Sequence, residues 1–119
     1  MGRVVGGIGV SHAPSLARAY DEDKSDDPAW RDIFNSYKPA AAWLKELQPD
    51  VLVAIYNDHV NHFFFDAYPT FALGVANGFP QADEGWGKRP LPDLKGDSDL
   101  GWHIARSLIR DEFDPTICQ

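Results

Sequence analysis

The sequence predicts an α/β fold in which helices flank a mainly parallel sheet. Residues 51–56 (VLVAIY) form a continuous apolar run of strand length, which is typical of a central strand covered on both faces. Residues 30–47, and those that follow Asp97, instead carry apolar side chains at spacings of three and four, as amphipathic helices do. Because parallel strands need crossover connections, this alternation favours a parallel sheet.

Three further segments have the composition of strands. Residues 3–10 (RVVGGIGV) are apolar and β-branched around three glycines, which favours a buried strand that other backbone approaches closely. Residues 71–76 (FALGVA) predict a shorter strand, and residues 113–118 predict the start of another.

The helices are predicted from their start signals and apolar spacing. Asp27 is an N-cap candidate followed by Pro28 at the first helical position, and Pro39 is expected to split the region that follows into two helices. Asp97 or Ser98 is expected to cap the last helix. The apolar positions are Trp30, Ile33, Phe34, Tyr37, Trp43, Leu44 and Leu47 in the first region, and Leu100, Ile104 and Leu108 in the last.

Two segments are predicted to be loops. Residues 20–27 are polar and acidic, as surface loops are, and residues 77–97 contain four glycines and three prolines, too many for regular structure. Loops as long as the second are usually functional or mobile. The part around Trp86 is expected to cover an active site or to meet a partner subunit, and an ordinary surface loop is the alternative.

Composition limits the classes of function. The 119 residues are 44% hydrophobic and 24% charged, without an internal linker, which indicates one globular domain over residues 1–119. A net charge of −7 without a basic run argues against nucleic acid as a partner. The absence of a long apolar run argues against a membrane span or a signal peptide, so we expect a cytoplasmic protein. The single cysteine, Cys118, leaves histidine and carboxylates as metal ligands.

Two histidines follow predicted strands. His12 comes two residues after the first strand and His59 three residues after the 51–56 run, where ligands collect in open parallel sheets. Neutral imidazole is a common ligand for Fe, Zn, Ni and Cu. A third ligand is not evident, since Asp83 and Glu84 would have to fold back from the long loop. Capping or core-edge histidines are the alternative interpretation.

Several motifs, taken in order, carry a resemblance to a known family. The chain resembles the start of the class III (LigB-like) extradiol aromatic-ring dioxygenases, which include the β subunit of protocatechuate 4,5-dioxygenase and the gallate dioxygenases. The resemblance covers essentially the whole chain, and the SHxP and NDH elements together are fairly specific. The motifs are Ser11-His12-Ala13-Pro14, Tyr56-Asn57-Asp58-His59, residues 69–74 (PTFALG), residues 82–87 (ADEGWG) and residues 111–114 (DEFD).

This resemblance implies a non-haem Fe(II) enzyme that cleaves a catecholic acid such as protocatechuate or gallate and inserts both atoms of dioxygen. His12 and His59 match two of the family's iron ligands. The glutamate ligand and the acid/base histidine lie further downstream in the family, so no catalytic residue is expected within this chain. The resemblance therefore implies the N-terminal portion of a larger α/β domain, which acts as a homo-oligomer or with a small α-type subunit.

Other polar residues near the two histidines are candidates for supporting roles. Asn57, Asp58 and Ser11 could orient the metal ligands through hydrogen bonds, and an ordinary turn after a strand is the alternative. His62 is expected at the surface or in a wall, and His103 at the surface, and neither is expected to be a site residue.

Two further functions remain open. A zinc-dependent hydrolase could use the same pair of histidines, because imidazole suits both metals. A non-catalytic fragment or partner-binding α/β module would explain the missing carboxylate ligand.

Overall fold

The computed structural model describes residues 2–83 and 87–119. The chain divides into two compact units, Met1–Val53 and Ala54–Gln119, and each is described by itself. The described residues form three helices and two short strand pairs, one of which is parallel, so the architecture is that of an incomplete α/β fold, as predicted. The elements are α1 (Pro14–Asp21), α2 (Arg31–Leu47), β1 (Ala72–Gly74), β2 (Gly78–Phe79), β3 (Leu94–Lys95), α3 (Ser98–Arg110) and β4 (Thr116–Cys118).

Helix α1 was not predicted from the sequence. It begins at Pro14, and proline suits the first turn of a helix because its missing N–H would have no partner there. Ala19 is buried on its inner face, while Arg18 and Glu22 form a salt bridge of 2.7 Å on the outside. The predicted acidic loop therefore starts only after Asp21.

Helix α2 differs from the prediction at two points. The Asp27 carbonyl accepts the amides of Trp30 at 2.9 Å and Arg31 at 2.8 Å, so a turn precedes the helix and Pro28 does not start it. The helix also runs through Pro39 without ending. A proline removes one backbone hydrogen bond, but the apolar stripe continues at helical spacing on both sides, which favours a single helix.

The prediction of a strand at residues 3–10 is wrong, because this segment has no regular secondary structure in the structure. Its apolar side chains are largely exposed, Val4 to 93%. The expected close approach does occur at Gly6, where a Cβ atom would lie 2.6 Å from Cζ2 of Trp43 and 3.3 Å from Cδ2 of Leu47. Gly6 therefore lets this segment lie directly against the α2 indole.

The predicted central strand at residues 51–56 is also not a strand in the structure. Its side chains are exposed, with Ile55 at 94%. An apolar run becomes a strand only when a neighbouring strand pairs with its amides and carbonyls. Neither this run nor residues 3–10 has such a partner within the described ranges.

In the second unit, β1 and β4 form a parallel pair that confirms part of each of two predicted strands, residues 72–74 of the predicted 71–76 and residues 116–118 of the predicted 113–118. Leu73 lies opposite Ile117, and the pairing extends through the amide of Val75, which donates to the carbonyl of Cys118 at 2.9 Å. Both strands are much shorter than the apolar segments that predicted them.

Helix α3 packs on β1 and closes the core of this unit. The Asp97 carboxylate accepts the Leu100 amide at 2.9 Å, which confirms the predicted N-cap. Val75 is 1% exposed and Ala105 is fully buried. A Cβ atom on Gly101 would lie 3.1 Å from Cα of Val75, so glycine allows the helix to approach the strand.

The predicted irregular loop at residues 77–97 contains a short antiparallel pair. Gly78 of β2 lies opposite Lys95 of β3, and Phe79 lies opposite Leu94. The prediction of no regular structure was therefore wrong at both ends of the segment, where a ladder fixes the base of the loop. The residues around Trp86, which were expected to cover a site or meet a partner, lie outside the described residues.

Candidate metal centre

His12 lies on the extended segment that leads into α1, in the first unit. Ala13, the N-cap residue, has extended backbone with φ −136° and ψ 135°, so the extended segment that carries His12 continues up to the start of the helix. The side chains of Ser11 and His12 are both exposed. The Tyr37 hydroxyl on α2 donates a hydrogen bond to the main-chain carbonyl of Ser11, directly before the histidine.

His59 lies in the second unit on a loop that Asp58 organises. The two carboxylate oxygens of Asp58 accept the backbone amides of His62 and Phe63, each at 3.2 Å. The carboxylate therefore closes the turn that carries His59, which is the turn-forming alternative expected from the sequence. Asn57 and His59 are exposed, and Asp58 is half-buried.

The loop has a second fixed point that the sequence did not suggest. The Tyr68 hydroxyl donates to the main-chain carbonyl of Asp58 at 3.2 Å. Between Asp58 and His62, Val60 has a φ of 61°, in the left-handed region that β-branched residues rarely occupy. Such a conformation costs about 1–3 kcal/mol and persists only where surrounding contacts hold it.

The sequence offers no evident third ligand, with Asp83 and Glu84 as local candidates that would have to fold back from the long loop. Within residues 2–83 and 87–119, no group of three or more His, Cys, Asp or Glu side chains is placed to hold a metal ion. Asp83 accepts the Gly87 amide at 2.9 Å, so its carboxylate stabilises the local loop backbone. Glu84, the other carboxylate considered, lies outside the described residues.

The chemistry of the donors fits a divalent transition metal only in part. His12 and His59 supply exposed imidazoles, which suit Fe(II) and equally suit zinc. The two histidines belong to different units.

The remaining histidines occupy surface positions, as predicted. The ring of His62 stands edge-on to Phe63, with ring centroids 4.9 Å apart and planes at 84°, and its side chain is exposed. His103 is exposed on α3.

A cavity in the second unit has a different character from the histidine loops. Its volume is about 270 Å³, and its walls are almost entirely apolar. None of the residues proposed for the metal site lines it. The lining residues are Phe71, Ala72, Leu73, Leu108, Phe113 and Pro115.

A helix that crosses a bilayer must be both long and apolar. Among the helices of the described residues, none meets these two requirements together.

Comparison with known proteins shows which family matches the part of the sequence that contains both histidines and which relatives the chain resembles. Residues 6–119 match the family described as the catalytic LigB subunit of aromatic ring-opening dioxygenase. A 2,3-dihydroxyphenylpropionate/2,3-dihydroxicinnamic acid 1,2-dioxygenase of Rhodococcus jostii is 27% identical over 108 residues, which cover 88% of this chain and 31% of that protein. A protein of the same description from Photorhabdus laumondii is 26% identical over 111 residues, with 92% and 31% covered. The chain thus spans about a third of the length of these relatives.

Proposed function

Because the chain belongs to the LigB family of catalytic subunits of aromatic ring-opening dioxygenases, we propose that it forms part of an extradiol dioxygenase. The observation that carries the proposal is the family match over residues 6–119, which includes His12 and His59 with their flanking motifs. The relatives are about three times as long, which supports a longer protein as the bearer of the proposed activity. We propose this chain as its N-terminal portion, because its motifs resemble the start of the family.

The proposed cofactor is Fe(II), held by His12 and His59. When bound, iron would supply both a Lewis acid, which lowers the pKa values of a coordinated diol, and a redox centre for dioxygen. This chain's contribution is to deliver two imidazoles from backbone that hydrogen bonds hold in place. A carboxylate ligand and the acid/base histidine would come from a later part of the longer protein.

Asp58 supports the metal site in this proposal by shaping the His59 loop rather than by contacting the metal. Its carboxylate already accepts two backbone amides, which ties the chain after His59 back onto the residue before it. Asn57 and Ser11 are proposed as neighbours that complete the polar surroundings of the two imidazoles.

The proposed substrate is a small catecholic acid such as protocatechuate or gallate. The relatives above are named for 2,3-dihydroxyphenylpropionate, which also joins a vicinal diol to a carboxylate. The reaction would insert both atoms of dioxygen beside the diol. We propose a cytoplasmic enzyme that works as a homo-oligomer or together with a small α-type subunit.

A full-length protein tests this function. It is loaded with Fe(II) under anaerobic conditions and is then assayed for turnover in the presence of dioxygen. Oxygen uptake and ring opening are expected with at least one of protocatechuate, gallate or 2,3-dihydroxyphenylpropionate. His12→Ala and His59→Ala should each abolish turnover, because each removes an iron ligand, while His103→Ala on the exposed face of α3 serves as the matched control.

Two outcomes would contradict the proposal. Retained ring cleavage in His12→Ala or His59→Ala would remove that residue from the ligand set. Activity with zinc alone, as a hydrolase and without oxygen uptake, would replace the oxygenase with the other reaction that two imidazoles can support.

A further inference from the structure

Each of the two histidine motifs accepts a hydrogen bond from a tyrosine hydroxyl, although the motifs lie in different units. In the first unit, the Tyr37 hydroxyl donates to the carbonyl of Ser11, the residue before His12. In the second unit, the Tyr68 hydroxyl donates to the carbonyl of Asp58, the residue before His59. Each bond lies within its own unit, so the likeness does not depend on how the units are arranged.

The position of each bond determines what it can control. The carbonyl of one residue and the amide nitrogen of the next belong to the same planar peptide group. A hydroxyl that donates to this carbonyl therefore also restrains the nitrogen and Cα of the histidine that follows. In this way it limits the directions in which the imidazole can leave the backbone.

The tyrosines themselves are placed on ordered backbone. Tyr37 lies within the 17-residue helix α2, and its side chain is half-buried. Tyr68 follows a turn in which the Ala67 amide donates to the carbonyl of Phe64 at 2.9 Å. The Asp58 carboxylate and the left-handed Val60 show that other contacts also constrain the same loop.

We propose that Tyr37 and Tyr68 are paired positioning residues, each of which orients one metal-binding histidine through the peptide group before it. The proposal rests on the proposed function in that it takes His12 and His59 as the ligands. The tyrosines do not touch the metal or the substrate, and their effect passes through the main chain.

The test uses the 119-residue chain with Tyr37→Phe and Tyr68→Phe, which remove only the hydroxyl groups. Tyr20→Phe and Tyr56→Phe are matched controls, since these tyrosines are 59% and 72% exposed and their hydroxyls make no hydrogen bond among the described residues. Backbone ¹⁵N relaxation of the metal-free protein is measured first, followed by titration with Co(II) as a spectroscopic probe for the iron site. Circular dichroism verifies that each variant is folded.

The expected result is local to each motif. Tyr37→Phe should lower the backbone order parameter at His12 and leave His59 unchanged, and Tyr68→Phe should do the reverse. Loss of one hydrogen bond should weaken Co(II) binding about threefold to tenfold and alter the Co(II) ligand-field spectrum. The two control variants should match the wild type in every measurement.

Failure of this proposal is distinguishable from failure of the metal site. Unchanged order at both histidines, or equal changes in the control variants, would overturn the positioning role. Unchanged Co(II) affinity and spectrum in the tyrosine variants would overturn it as well, provided that His12→Ala and His59→Ala abolish binding. If the tyrosine variants loosen the histidines but the histidine variants bind Co(II) normally, the positioning role stands and the metal site fails.

Discussion

Removal of the Asp58 carboxylate should selectively open the loop that carries His59. In Asp58→Ala, the amides of His62 and Phe63 lose their shared acceptor. A hydrogen bond contributes a net of about 0.5–1.5 kcal/mol in typical cases, and the 3.2 Å distances lie at the long end of the usual range. Together the two bonds should therefore stabilise the closed loop by about 1–2 kcal/mol.

Native-state hydrogen exchange measures this opening directly. Since each step of about 1.4 kcal/mol is a factor of ten, exchange of the two amides should accelerate about 5-fold to 30-fold in Asp58→Ala. Asp58→Asn keeps one acceptor oxygen and should show roughly half the change in free energy. Asp66→Ala, which removes an exposed carboxylate from the same region, should leave both amides unaffected.

Either of two exchange patterns would contradict this role of the Asp58 carboxylate. Unchanged protection at His62 and Phe63 in Asp58→Ala would show that other contacts hold the turn. Equal acceleration at the buried Ala105 of α3 would show that the whole unit had lost stability, rather than the loop alone.

Two further predictions concern the first unit. Gly6→Ala should lower the free energy of unfolding by about 1 kcal/mol in urea titrations, because the added methyl group meets the Trp43 ring. Gly7→Ala is the control, since a methyl group there meets nothing within 4 Å. Equal stability of the two variants would contradict this packing. The Lys24 hydrogen bond, followed by that of Arg18, lowers the pKa of Glu22 from 4.5 to about 2, so the stabilisation from this carboxylate should be complete above pH 4.5 and lost as the pH falls through about 2. A ¹³C titration of the Glu22 carboxyl group should show this midpoint in the wild type and a higher one in Lys24→Ala, and a wild-type midpoint near 4.5 would rule the interaction out.

The elements predicted correctly are those whose signals are local. Helix α3 combines an aspartate that caps its first turn with a regular apolar stripe, and both act within a few residues. Helix α2 shows how one local signal can mislead, because Pro39 predicts a break where the apolar spacing around it predicts a continuous helix.

The strands depend on partners far along the chain, and for this reason sequence reasoning placed them less well. Residues 3–10 and 51–56 are apolar enough for central strands, but composition does not specify whether a neighbouring strand pairs with them. β1 and β4 do pair, although the chain between them includes β2, β3 and α3, and the pairing covers only three residues of each.

The residues of the candidate site also differ in whether the sequence indicates them. His12 and His59 could be selected from the sequence because they follow strand-like runs and carry recognisable motifs. Tyr37 and Tyr68 could not, since a tyrosine that donates to a main-chain carbonyl 26 or 10 residues away leaves no pattern in the sequence.

The pairing of β2 with β3 has a consequence for variation among related proteins. The ladder from Gly78 to Lys95 holds the two ends of the intervening segment together, whatever lies between them. The entropic cost of closing such a segment rises only with the logarithm of its length, by about 0.6 kcal/mol for each doubling. Insertions and deletions between the two short strands should therefore be tolerated, which makes this segment a position where homologues can diverge without disturbing the core beneath α3.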